Sequence, residues 1–155
     1  MSSYVHVFLR VNTDTFVQIA CGSRSTPLYH YLSRYAPYEH IAQLSATEIG
    51  YIRESIAEDI RDYRDTIAQY EQMIRDIGSW NNPVDVKLET IHDYRSGIQD
   101  INEEIAGLER LKVELDIFED MVDPIYYDED EPMRQLWVGE ECGSVVSVND
   151  IEETP

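Results

Sequence analysis

Basic residues are scarce in this chain. Twelve Lys and Arg stand against 31 Asp and Glu, a net charge of −19 in 155 residues. A surface of that sign repels phosphate backbones and anionic lipid, which argues against direct nucleic-acid binding and a membrane-surface role and favours basic partners. Cysteine is nearly absent: Cys21 and Cys142 are too few for a disulfide framework and sit in no metal-ligand spacing. No apolar run approaches the ~20 residues of a membrane span. The start "MSSYVHVFLR" lacks the basic region and cleavage site of a signal peptide. A reducing cytoplasm is the expected compartment. Nucleophile elbow, phosphate-binding glycine loop and metal-ligand helix pair are all missing, so neither an enzyme nor a cofactor is expected. His30, Glu39 and His40 flank one turn, but exposed loop histidines are far commoner than metal sites, and no metal is expected there.

What is present is apolar content (43%) sufficient for a core, in a length that suits one domain, residues 1–155. Charge divides it into three parts. Residues 1–44 carry three arginines against Asp14 and Glu39; residues 45–123 carry eight basic and twenty acidic residues; residues 124–155 carry Arg134 against nine acids. The first part is thus chemically distinct.

Alternation in "YVHVFLRV" predicts a strand, with Val5, Val7, Leu9 and Val11 on one face and His6, Phe8 and Arg10 on the other. "NTD" predicts a turn and "TFVQIAC" a returning strand, so the segment reads as a hairpin. "GSRST" then breaks the strand. Thr26 before Pro27 is an N-cap followed by a first helical residue, predicting a short helix over about Pro27 to Tyr35. "SATE" at Ser45 to Glu48 is a capping box that opens a long helix. Its apolar residues recur at spacings of three and four from Ile49 to Ile77, and Gly78 ends it. A second long helix runs from the Asn82-Pro83 cap to Pro124. A five-residue connection makes the two antiparallel, each roughly 50 Å long. In the tail, "DEDE" reads as a solvated loop, "MRQLWVG" as a third strand returning to the hairpin, and the last residues as frayed. The expected fold class is α+β: residues 1–44 a β-hairpin plus short helix, packed on an antiparallel coiled-coil hairpin of residues 45–123, with residues 124–155 an acidic tail bearing a strand.

One place for a ligand emerges. "GSRST" puts backbone N–H groups beside the Ser23, Ser25 and Thr26 hydroxyls at a helix start, a natural anion site. Arg24 adds a charge-assisted grip on phosphate, and Arg34 lies on the same helix. Tyr29 and Tyr31, with Tyr35 and Tyr38 nearby, are candidates to stack on a base. The alternative is structural: the hydroxyls cap the helix, the tyrosines pack, and the arginines pair with acidic helices. A second candidate is the ladder Glu54, Glu58 and Asp62, spaced i, i+4, i+8, which costs helix stability. It serves either as a solvated face or as a mimic of nucleic-acid charge.

The phrases "VFLRVNTDTF", "SRSTPLYHYL", "APYEHIAQLS" and the "Y…YEQMI" helix, with the layout of β module, helix and acidic helical hairpin, resemble small acidic proteins of bacteriophage accessory regions. That resemblance implies a non-enzymatic inhibitor of bacterial antiviral defence, acting by stoichiometric binding in the host cytoplasm. Two modes follow from it: sequestration of a phosphate-bearing nucleotide signal, as in inhibitors of Thoeris or CBASS, or an anti-CRISPR-like block of a basic, nucleic-acid-binding defence protein. Sequestration at residues 23–34 is the favoured expectation. A structural coiled-coil assembly factor is the third possibility. Two helices with one apolar stripe each also predict a homo-oligomer through the helical hairpin.

Overall fold

The computed structural model describes residues 4–11, 15–37, 41–122, 135–139 and 145–146. The expected turn at Asn12 to Asp14, Tyr38, Glu39, His40, the "DEDE" loop, Cys142 and the frayed end lie outside the described residues. The fold is α+β. In chain order it comprises β1 (Tyr4–Arg10), β2 (Phe16–Ser23), α1 (Pro27–Leu32) with a 3₁₀ turn at Ser33–Tyr35, and β3 (Ile41–Gln43). Then come α2 (Ala46–Ile77), α3 (Val84–Met121), β4 (Gln135–Gly139) and β5 (Val145–Val146). The chain forms two compact units, Met1–Arg53 with Leu111–Pro155, and Glu54–Arg110. The division falls inside the two long helices rather than at their ends.

The first unit holds an antiparallel sheet of order β3-β4-β1-β2-β5. The expected third strand is β4, with Trp137 opposite Phe8 and Leu136 opposite Leu9. It lies between β1 and β3, so β3 joins the sheet only through a segment from the far end of the chain. β1 is therefore central. Its alternation predicts one buried face, yet both are buried: Val5, Val7 and Leu9 on one, His6 and Phe8 on the other. Phe8, Phe16, Ile41 and Trp137 form a core cluster. Phe16 meets Trp137 edge to face, centroids 5.2 Å apart, and the Arg10 guanidinium lies 5.5 Å from the Phe16 ring centre.

β2 departs from the expected break. It continues through Gly22 and Ser23, which pair with Val5 and Tyr4. A bulge lets it do so: Val7 faces Ala20 and Phe8 faces Gln18, so Ile19 is the extra residue and the face alternation resets there. α1 packs on β1 and β2, burying Leu28, Tyr31 and Leu32. Burying a Leu fully contributes about 1.5–3 kcal/mol, so these residues hold α1 to the sheet. The approach is close enough that a Cβ on Gly22 would stand 2.6 Å from the Thr26 Oγ1 and 3.0 Å from the Leu28 Cβ.

The capping box at α2 is formed: the Ser45 N–H donates to Glu48 Oε1 at 3.0 Å, and the Glu48 N–H to Ser45 Oγ at 3.1 Å. In this unit Ile49 and Ile52 of α2 and Leu111, Leu115 and Phe118 of α3 are buried. Arg53 interrupts the apolar row of α2 for a reason. Its guanidinium reaches Asp116 at 2.7 Å and Glu119 at 3.0 Å, tying α2 to α3. Burial works against that charge, but the hydrogen bonds it donates to Glu119 and Asp116, together with the negative charge of those carboxylates, outweigh it and raise the arginine's pKa.

The second unit is a two-helix pair. Arg64 reaches Glu109 at 3.5 Å, while Tyr70, further along α2, meets Tyr94 edge to face at 5.3 Å, earlier in α3. That order of partners makes the helices antiparallel, as the short connection requires. Ile56, Ile60, Ile77 and Leu108 are buried; Ile67, Ile98, Ile101 and Ile105 are half-buried. Gly97 sits mid-helix because the Tyr70 ring needs its space, with Cε2 3.0 Å from where a Cβ would stand.

Candidate functional site

The turn from β2 into α1 brings Ser23, Arg24, Ser25 and Thr26 together, as the sequence predicts, but most of its polar atoms serve the turn itself. Thr26 is the N-cap. Its Oγ1 accepts from the Tyr29 N–H at 3.3 Å and donates to the Ser23 carbonyl at 2.7 Å. The Thr26 carbonyl accepts from the His30 N–H, and the Ser23 carbonyl also accepts from the Thr26 N–H. Ser23 Oγ and Ser25 Oγ are 3.2 Å apart. Pro27 brings no N–H. First-turn donors that an anion would need are thus largely taken, and α1 has only six residues to build a dipole.

The remaining candidates separate. Tyr31 is 5% exposed, so its ring belongs to the core. Tyr29 is half-buried, while Arg24, Ser25 and Arg34 are exposed. Neither Arg24 nor Arg34 has an ion-pair partner among the described residues, so no described carboxylate of the acidic helices neutralises them. What faces solvent is therefore Arg24, Ser25, Arg34 and part of Tyr29. His30 meets Tyr31 edge to face at 4.9 Å. Among the described residues no group of three His, Cys, Asp or Glu could hold a metal ion. Nor is any described helix long and apolar enough to cross a membrane.

The acidic ladder is the second candidate. Glu54, Glu58 and Asp62 are all exposed on α2, and Asp65 extends the row. Residues 54–110 carry fourteen acidic and six basic residues. The four carboxylates from Glu54 to Asp65 span about 16 Å of helix, one per ~5 Å. One DNA strand carries a charge per ~3.4 Å of axis. The row is therefore a strongly negative face without the spacing needed to replace phosphates one for one.

Sequence reasoning passed over Arg53, whose place in an apolar row was the available signal, and an outward row on α3 at Arg110, Val113, Ile117 and Asp120. Comparison of the chain with protein-family models, curated proteins and solved structures finds no match.

Proposed function

We propose that the chain is a non-enzymatic binding protein, of the phage counter-defence type that its resemblance implies, acting stoichiometrically through the acidic helices of residues 54–110 on a basic surface of a partner protein. The observation that supports it is the exposed row Glu54, Glu58, Asp62 and Asp65 within a unit whose acids outnumber its bases fourteen to six. Such a field steers a basic partner and suppresses acidic ones. The mode is general charge complementarity rather than faithful DNA mimicry, given the charge spacing. The host cytoplasm is the compartment this reading implies. The test is a partner complex isolated with the wild type and with the Glu54→Lys, Glu58→Lys, Asp62→Lys variant. Loss of the partner from the variant, and its release by salt that shortens the Debye length to about 3 Å, is expected. A complex indifferent to both changes would overturn the reading.

A second reading, capture of a phosphate-bearing nucleotide at the β2–α1 turn, is favoured by the two exposed arginines without acidic partners. It rests on Arg24, Ser25, Tyr29 and Arg34; Thr26 and Tyr31 support the turn. Calorimetric titration with cyclic dinucleotides and cyclic ADP-ribose isomers tests it. Binding by the wild type that Arg24→Ala removes would support it, and no binding by the wild type would end it.

A further inference from the structure

α3 is apolar on two faces near its C-terminal end. Leu108, Leu111, Leu115 and Phe118 are buried. Val113 and Ile117, one turn apart on another face, are 57% and 48% exposed. Exposed apolar side chains that sit together within a polar rim mark an interaction surface. The pair is bracketed by charge. Arg110 stands three residues before Val113 and Asp120 three residues after Ile117; both are exposed, and neither has an ion-pair partner among the described residues. Their neighbours behave differently: Glu109, Asp116 and Glu119 turn towards α2 and are held by Arg64 and Arg53.

The row Arg110, Val113, Ile117, Asp120 has spacings of three, four and three. It reads the same from either end except that its charges exchange sign. Turned end over end about a two-fold axis at the level of Leu115, its cation falls opposite its anion and Val113 falls opposite Ile117. We infer that this face of α3 docks antiparallel on the same face of a second copy of the chain. The interface is isologous: two Arg110–Asp120 pairs between protomers flank a patch of four β-branched side chains. Charge complementarity selects this occupant. A uniformly basic partner would repel Arg110 and a uniformly acidic one Asp120, whereas a reversed copy satisfies both at the required spacing. The row is about 15 Å long, so association is of the weak, reversible kind that small interfaces give. This inference is independent of the proposed function, since it uses neither the α2 ladder nor the β2–α1 turn.

The test is sedimentation equilibrium of the full chain at about 10 to 200 µM, a range suited to small interfaces, in about 0.15 M salt to screen the net charge. A concentration-dependent dimer is expected for the wild type. Ile117→Lys should weaken it at least tenfold. Arg110→Asp and Asp120→Arg should each weaken it about tenfold, because symmetry turns two attractions into two repulsions. The combined Arg110→Asp, Asp120→Arg chain should recover the wild-type affinity. All four positions are exposed, and unchanged circular dichroism checks that the variants fold. A wild type that stays monomeric over the range overturns the inference. So does a dimer that Ile117→Lys leaves intact, or a double exchange no stronger than its singles.

Discussion

Gly22 and Thr26 occupy the same few ångströms, and a double-mutant cycle on them measures how α1 is attached to the sheet. Thr26→Ala removes the hydroxyl that accepts from the Tyr29 N–H and donates to the Ser23 carbonyl. Losing such a cap costs about 1 kcal/mol. Gly22→Ala places a Cβ 2.6 Å from that same hydroxyl and 3.0 Å from the Leu28 Cβ. The overpacking costs about 1–3 kcal/mol and displaces the cap as well. In the Thr26→Ala chain the nearer of the two clashes is gone and only Leu28 must yield. The double variant should therefore be less destabilised than the sum of the singles, by about 1 kcal/mol. Thr26→Ser, which keeps the oxygen, should stay near the wild type. Urea unfolding followed by Trp137 fluorescence in a Trp80→Phe background reads the sheet directly, since Trp137 is buried in its core. The stability change is taken from the midpoint at constant slope. Additivity within about 0.3 kcal/mol would show that the hydroxyl does not press on Gly22, and no loss in Thr26→Ala that it does not cap α1.

Gly50 is exposed on α2 with no atom within 4 Å of a built Cβ, so Gly50→Ala should raise stability by about 0.5–1 kcal/mol in the same denaturation assay. Gly97→Ala should gain less than that, because the Tyr70 ring lies 3.0 Å from the new methyl; an equal gain would mean the ring does not depend on the glycine. Trp137→Ala should cost about 3–5 kcal/mol by emptying the cluster shared with Phe8, Phe16 and Ile41, seen as a large drop in thermal midpoint. Glu58→Lys makes its two i,i±4 pairs, with Glu54 and Asp62, attractive and its i,i+3 pair with Arg61 repulsive, so it should stabilise the chain by about 0.2–0.5 kcal/mol while weakening the partner complex. If stability rises and partner binding is unchanged, the ladder is only a solvated face.

Local chemistry was legible in the residues themselves. A capping box needs only Ser45 and Glu48 three positions apart, and it forms as written. Thr26 before Pro27 starts α1 for the same reason. Apolar spacing of three and four in α2, with a short connection to a second long helix, leaves an antiparallel pair as the economical arrangement. Long-range decisions were not legible. β3 is three residues long and β5 two, too short to carry a period, and each exists only because a distant strand pairs with it. β4 enters between β1 and β3, which makes β1 central and buries the face on which His6 and Phe8 lie. Among the candidate site residues, the sequence places Arg24, Ser25 and Thr26 in one turn, because a turn is local, but not Ser23, which closes β2 by pairing with Tyr4. It could not tell that Tyr31 faces the core or that the Thr26 hydroxyl is engaged, because alternation and spacing say which residues share a face, not what covers it. Exposure of Val113 and Ile117 is the same lesson reversed. Their apolar character suggests burial, and only the packing of α3 shows that its other face has the core. Hydrogen-bonded caps and helical period act over a few residues and are written in them; burial is a property of the surroundings, and the tertiary structure alone decides it.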